Sequence, residues 1–352
     1  YGIYISYDDG ESWNSFQKNL PQVPITDIKI KDNSLIVATQ GRGIWVLDDL
    51  TVLHQLNPEI INDEINLFKP KDSYRLSGSG GKKSKIAGTN LENGVIVYYN
   101  LKTYDSKKDS VSISFSDLNG EIIKTFSNFD SKNNLKPKKG SNKFVWDTKY
   151  EGAEILDGMI FWSVSFSGAK ASPGKYKVEL TKNRVKKSKT FDILINPNSE
   201  AEVKGIQMQV SFVNSINKLV DKAHKAIKKI RKINKTLIEF EKNYEGSNQL
   251  ISQSKKLRNQ LLKIEKTLYQ TQNQSSQDPL NFPIKLTNKL GHLNSLVTYD
   301  DFPPTNQDEE VRAELTYKVD EQLKKFNNLI DQDLKKFNNE FTELKLDYLK
   351  ID

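Results

Sequence analysis

The apolar positions change period along the chain. Near the N-terminus they alternate. Ile3, Ile5 and Tyr7 fall on one face of a strand, with Tyr4 and Ser6 on the other. Ile25, Ile28 and Ile30 predict another strand, Ser34 to Thr39 the next, and Gly43 to Leu47 a fourth. Asp32-Asn33 and Gln40-Gly41-Arg42-Gly43 supply the turns. Short strands at this rhythm fit four-stranded blades repeated around an axis, of which about one and a half are present. Such a piece cannot close a propeller alone and leaves an open edge. The pattern therefore predicts further blades upstream.

The period stays near two through the middle of the chain. Strands are predicted at Val95–Leu101, Val111–Asp117, Ile122–Phe126, Asn142–Asp147, Gly174–Thr181 and Ser188–Ile195. A further one is predicted around Ile160–Phe166. Asp117-Leu118-Asn119-Gly120 and Pro173-Gly174 read as turns. Residues 77–93 form a Gly/Ser/Lys-rich loop whose Gly78-Ser79-Gly80-Gly81 lacks the context of a phosphate loop. About seven short strands predict an Ig-like β-sandwich. Trp146 and Tyr176 are its expected core and rim anchors. A ligand platform at Trp146 or Trp162 is the alternative, and buried aromatics dominate small cores.

From residue 200 the step alternates between three and four. Val213, Ile216, Val220, Ala223, Ile227, Ile230, Asn234, Leu237, Glu241 and Tyr244 form one heptad seam. Leu250, Ser254, Leu257, Leu261, Ile264 and Leu268 form a second. Val311, Leu315, Val319, Leu323, Phe326, Ile330, Phe337, Phe341 and Leu344 form a third. Gly246-Ser247 separates the first two. Pro279, Pro283, Pro303 and Pro304 bound a connection with a short helix near Leu286–Val297. Long helices joined in series predict an antiparallel bundle. The domain reading is thus 1–68 terminal propeller blades, 69–199 Ig-like β-sandwich and 200–352 helical hairpin or bundle.

Composition narrows the chemistry. The 352 residues contain no Cys, which excludes disulfides, thiol catalysis and Cys-ligated zinc. No stretch approaches ~20 apolar residues, so no helix is expected to span a membrane. There is no signal-peptide pattern, and the chain starts at Tyr1. A piece of a longer polypeptide, or a mature form, is expected. The net charge of +8 is uneven: residues 1–68 hold 4 Lys/Arg and 10 Asp/Glu, residues 69–199 hold 24 and 13, and residues 200–352 hold 25 and 22. A basic middle segment suits an anionic polymer. Lys outnumbers Arg there, and specific phosphate recognition favours the Arg fork. Nucleic acid is not an expected partner. Lys228, Lys229, Arg231, Lys232 and Lys235 read as a solvated helix face.

No catalytic constellation is legible. His54, His224 and His292 lie in unrelated contexts without metal-ligand spacing. Asp8/Asp9, Asp48/Asp49 and Asp300/Asp301 are sequence neighbours, and strand neighbours point to opposite faces. The six arginines, Arg42, Arg75, Arg184, Arg231, Arg258 and Arg312, are scattered. No cofactor, metal or catalytic residue is expected in this chain.

The most specific motif is Ser6-x-Asp8-x-Gly10-x-x-Trp13. Asp8 is placed to accept backbone N–H groups across a turn, Gly10 to take positive φ, and Trp13 to pack under the loop. The motif resembles the Asp-box of bacterial neuraminidase repeats, with every defining position filled. The run from Ala38 through Arg42 and Trp45 to Leu50 resembles the last blade of bacterial sortilin-like repeat proteins, often labelled glycosyl hydrolases. Phe144-Val145-Trp146-Asp147 and Asp278 to Leu286 are similar to that family's C-terminal region. Within the middle segment, the order of phrases also resembles the Ig-like domain of flagellar hook-capping proteins and bacterial secretion-sorting domains. The sortilin-like resemblance implies a non-catalytic region of an exported protein, at the bacterial envelope or secreted. It would brace upstream blades that bind a peptide, protein or glycan, with Arg42 and Trp45 as candidate binding residues. The alternative is part of a sialidase-like glycoside hydrolase whose catalytic blades lie upstream. A weaker alternative is anionic-polymer binding by the basic sandwich.

Overall fold

A computed structural model describes residues 2–57, 63–76, 91–244 and 248–343. The predicted Gly78–Gly81 loop, the Gly246-Ser247 break and Leu344 lie outside the described residues, as does the Phe341 side chain. The chain is β-sheet in its first half and helical in its last. It forms two units: Tyr1–Thr148 with Gly174–Asn196, and Lys149–Pro173 with Pro197–Asp352. The sequence boundary at 199 thus differs from the observed division, because residues 149–173 fold with the helices.

Among the described residues, the first unit contains four sheets. Strand β1 (Tyr4–Ile5) pairs with β2 (Asn14–Ser15). Strands β3 (Ile25–Lys31), β4 (Ser34–Thr39) and β5 (Ile44–Leu47) form an antiparallel sheet in that order. Asp32 (φ 50°) and Asn33 (φ 65°) turn β3 into β4 with the left-handed geometry a tight hairpin needs.

The other two sheets are built from β6 (Ile65–Leu67), β7 (Ser73–Tyr74), β8 (Val95–Leu101), β9 (Val111–Asp117), β10 (Ile122–Ser127), β11 (Gly140–Trp146), β12 (Gly174–Lys182) and β13 (Val185–Leu194). Their orders are β10-β9-β12-β13-β7 and β11-β8-β6. Alternation sets which face is inward: Val95, Val97, Tyr99 and Leu101 on β8 are buried, as are Val111, Ile113 and Phe115 on β9. Trp146 from the three-stranded sheet stacks on Phe115 from the five-stranded one, centroids 4.3 Å apart. One aromatic core therefore joins both sheets, with buried Tyr176 and Phe191 packed edge-on against Trp146. The expected core role of Trp146 agrees with its complete burial. Strands β6 and β7 are too short to leave a periodic signal, and the sequence did not predict them.

The second unit is organised on α1 (Val203–Asn243), 41 residues long. Helix α2 (Asn248–Leu268) runs antiparallel to it, because Arg231 pairs with Glu265 while Arg258 pairs with Glu241. The α2 seam of Leu250, Ser254, Leu257, Leu261, Ile264 and Leu268 is buried throughout. Helices α3 (Leu286–Val297) and α4 (Asn306–Asn328) follow. Thr305 caps α4: its Oγ1 accepts from the Asp308 amide, and Asp308 Oδ2 accepts from the Thr305 amide.

Two predictions about the helices needed changing. Burial on α1 is much wider than one seam, and includes Gln209, Asn217, His224 and Ile233. Residues 149–173, α2, α3 and α4 belong to the same unit, and several of them pack on it. The third seam is also not a simple heptad. A π turn at Leu329–Leu334 separates α4 from α5 (Lys335–Glu343). It buries Leu329 and Leu334, while Ile330 is half-buried and Asp333 exposed. Unbroken α-helix would put Asp333 in the apolar seam between Phe326 and Phe337. The π turn keeps that carboxylate in water.

The predicted strand at Ile160–Phe166 is absent. The alternating apolar pattern there has a different cause. The segment is irregular, and part of its backbone bonding goes to helix side chains. Ile160 N–H donates to Tyr269 Oη (2.7 Å), Trp162 N–H to Asn288 Oδ1 (2.9 Å) and Ser165 N–H to Ser295 Oγ (3.1 Å). Asn288 returns a bond to Trp162 O, and Asn273 donates to Ile160 O. Side chains thus provide the partners a sheet neighbour would otherwise supply.

Candidate functional site

The Asp-box residues form one local turn. Ser6 Oγ donates to Asp8 Oδ1 (2.8 Å) and accepts from the Gly10 amide (2.7 Å). Asp8 Oδ1 accepts the Ser12 amide (2.9 Å), and Asp8 Oδ2 accepts the Ser12 hydroxyl (2.5 Å). The Ser12 hydroxyl, the Ser12 amide and then Ser6 lower the Asp8 pKa to about 2. Gly10 has φ 98°, which a side chain would strain. Trp13 Nε1 donates to Gly10 O at 3.1 Å, closing the turn, although the ring stays largely exposed. All four residues are occupied in holding the loop.

Arg42 and Trp45 repeat part of this device. Trp45 Nε1 donates to Arg42 O (3.0 Å), again to the carbonyl three residues back. Thr39 Oγ1 donates to Gly43 O (2.6 Å) across the same turn. Arg42 is exposed, and Trp45 lines a hollow of about 80 Å³ with Ile3, Phe16, Leu20 and Val37. That hollow is apolar and too small for a drug-sized ligand, whose pockets run to ~300 Å³ or more. The structure brings Trp45 and the Arg42 backbone together, and gives the guanidinium no defined role.

The carboxylate pairs also have local tasks. Asp49 Oδ1 accepts from the Thr51 amide and Asn33 Nδ2, and Asp300 Oδ1 accepts from the Asp301 amide. Among the arginines, Arg231, Arg258 and Arg312 are tied to Glu265, Glu241 and Glu309. Of the basic run on α1, Arg231 is thus engaged, Lys228 lies 3.7 Å from Glu154, and Lys229, Lys232 and Lys235 are exposed. Among the described residues, no group of three or more His, Asp or Glu side chains could hold a metal ion, and no helix is long and apolar enough to cross a membrane.

Sequence reasoning missed a set of buried polar groups on α1. Gln209 Nε2 reaches Val297 O, Asp300 O and Phe302 O (2.8, 2.5 and 3.0 Å). Asn217 Nδ2 donates to Ser167 O and its Oδ1 accepts from Asn294. His224 is fully buried between Phe161 and Phe166. Its Nδ1–H donates to Glu154 O at 2.5 Å, while its Nε2 has no hydrogen-bond partner. Burial lowers its pKa, against the opposing pull of the Glu154 carbonyl and Asp221. Gly291 on α3 lets Phe166 and Val164 approach, since a Cβ there would sit 2.9 Å from both side chains. Polar residues breaking an apolar helix face were the available signal.

The sequence matches no family model, and a search of curated proteins gave no match.

Proposed function

We propose that this chain is the non-catalytic C-terminal region of an exported sortilin-like repeat protein. It would brace a β-propeller that binds a peptide, protein or glycan through its loops. On this reading β3–β5 belong to the last blade, the eight strands β6–β13 form an Ig-like sandwich, and the helices form a bundle. The site of action is the bacterial envelope or the extracellular space.

One observation carries the reading. The β3–β5 sheet is apolar over one face and over the β4–β5 part of the other, and much of that surface is uncovered. Register puts Ile28, Val37 and Trp45 on one face with Ile30, Leu35 and Leu47. Ile36, Val46, Ala38 and Ile44 lie on the other, beside Asp27 and Lys29 of β3. Ile28, Ile30, Ile44 and Val46 are all more than half exposed. A blade is covered on both faces by its neighbours, so uncovered apolar side chains on both faces are what a blade needs. The Asp-box turn supports the same reading, because its residues fix a hairpin and leave no free catalytic group.

The test is a glycan and peptide array. It compares this chain with the longer native polypeptide carrying the upstream blades. Binding by the longer form alone is the expected result. Equal binding by this chain overturns the bracing role, and glycan turnover by the longer form overturns the non-catalytic one.

A further inference from the structure

The second unit carries a cleft of about 700 Å³ between α2 and the segment leading into α3. Two lysines stand on the α2 side, Lys263 and Lys266. Two stand on the α3 side, Lys285 and Lys289. Leu262 and Ile284 supply apolar wall. Among the described residues, no carboxylate lines the cleft. None of these four lysines stands in an ion pair among the described residues, whereas Arg231 pairs with Glu265, Arg258 with Glu241, Lys318 with Glu314 and Lys325 with Glu321. Lys289 helps lower the Glu314 pKa, but the Glu314 hydrogen bond goes to Lys318. Four like charges around one concavity raise its potential and repel each other until an anion enters.

We propose that this cleft binds an acidic peptide segment in extended form. Three features select that class. Ammonium groups meet carboxylates as point charges and need no fork geometry. The same walls carry apolar Leu262 and Ile284 beside the lysines, so a chain alternating acidic and apolar side chains satisfies both. No aromatic side chain lines the cleft, whereas single-stranded nucleic acid binds through stacked bases. The first turn of α3 opens at the same place and adds a positive dipole end. The inference is independent of the bracing role proposed above.

The experiment is a fluorescence anisotropy titration of the 352-residue chain. The probes are a labelled octapeptide alternating Glu and Leu, its Gln/Leu counterpart, and a single-stranded DNA oligonucleotide. The Glu/Leu peptide is expected to bind, and to weaken as salt rises from roughly 50 to 200 mM. The double variant Lys266→Glu/Lys285→Glu is expected to weaken it at least about tenfold. Lys229→Glu/Lys235→Glu, on the exposed face of α1, should leave it unchanged. If the reversal variant misfolds by circular dichroism, Lys266→Gln/Lys285→Gln carries the same test. Failure of the Glu/Leu peptide to bind, equal binding of the Gln/Leu peptide, tighter binding of DNA, or equal loss in both lysine pairs overturns the proposal.

Discussion

The β3–β5 sheet and the α1 helix invert each other. The sheet holds isoleucines and valines in water. The helix holds Gln209, Asn217, His224 and Asn234 in its core. Hydrophobicity alone would have exchanged them. What decides is how many neighbours each element is built to meet. A helix packed on several sides must also accept irregular backbone, and irregular backbone brings unpaired carbonyls and amides. The α1 polar side chains serve those groups: Gln209 takes three carbonyls, Asn217 one and His224 one. The sheet pairs its backbone within its own ladder apart from one irregularity between Ile25 and Asp27, so it has little such need and can carry apolar side chains on both faces.

This contrast can be broken in three places. The largest effect is expected at Gln209. Gln209→Ala strands carbonyls of Val297, Asp300 and Phe302, and should cost about 3 kcal/mol in urea denaturation. A loss near zero would mean that water replaces the amide and that α1 tolerates polarity without using it. The next effect is a pH dependence. Burial holds the His224 pKa below the ~6.5 of a free imidazole. The unfolded chain therefore takes up the proton first as pH falls. The contribution is intact above about 6.5 and declines below it, until the folded-state His224 itself titrates. The slope is at most about 1.4 kcal/mol per pH unit. Asp221, Glu154 and Arg231 act on the ring, and Arg231 disfavours its protonation. Wild type should lose melting temperature between roughly pH 7 and 5 faster than His224→Gln. Parallel curves would remove His224 as the cause. The smallest effect is expected on the sheet, where Ile30→Ser should change stability within about 0.5 kcal/mol. A large loss there would show that the exposed face already contributes to this chain's own core.

Much of the fold was legible because most elements obey one period. Val95–Leu101 and Val111–Asp117 are observed with the predicted ends, and the α2 seam is buried at every predicted position. The motif Ser6, Asp8, Gly10 and Trp13 gave the turn and its bonding together. Legibility failed where the backbone finds partners outside its own element. Ile160, Trp162, Val164 and Phe166 alternate as a strand does, but side chains of Tyr269, Asn288 and Ser295 serve the backbone there, more than 100 residues away in sequence. The cleft lysines escaped notice for a related reason. Lys263 and Lys266 are two cations in a Lys-rich helix until Lys285 and Lys289 are brought opposite them.

The π turn at Leu329–Leu334 bears on chain length. A π turn accommodates one residue more than the α-helix it interrupts. The helix from Asn306 to Glu343 therefore reads as a continuous rod into which a single residue has been let in. The insertion changes which side chains face inward: Leu329 and Leu334 are buried, while Asp333 is not. A single extra residue here decides where a charge ends up.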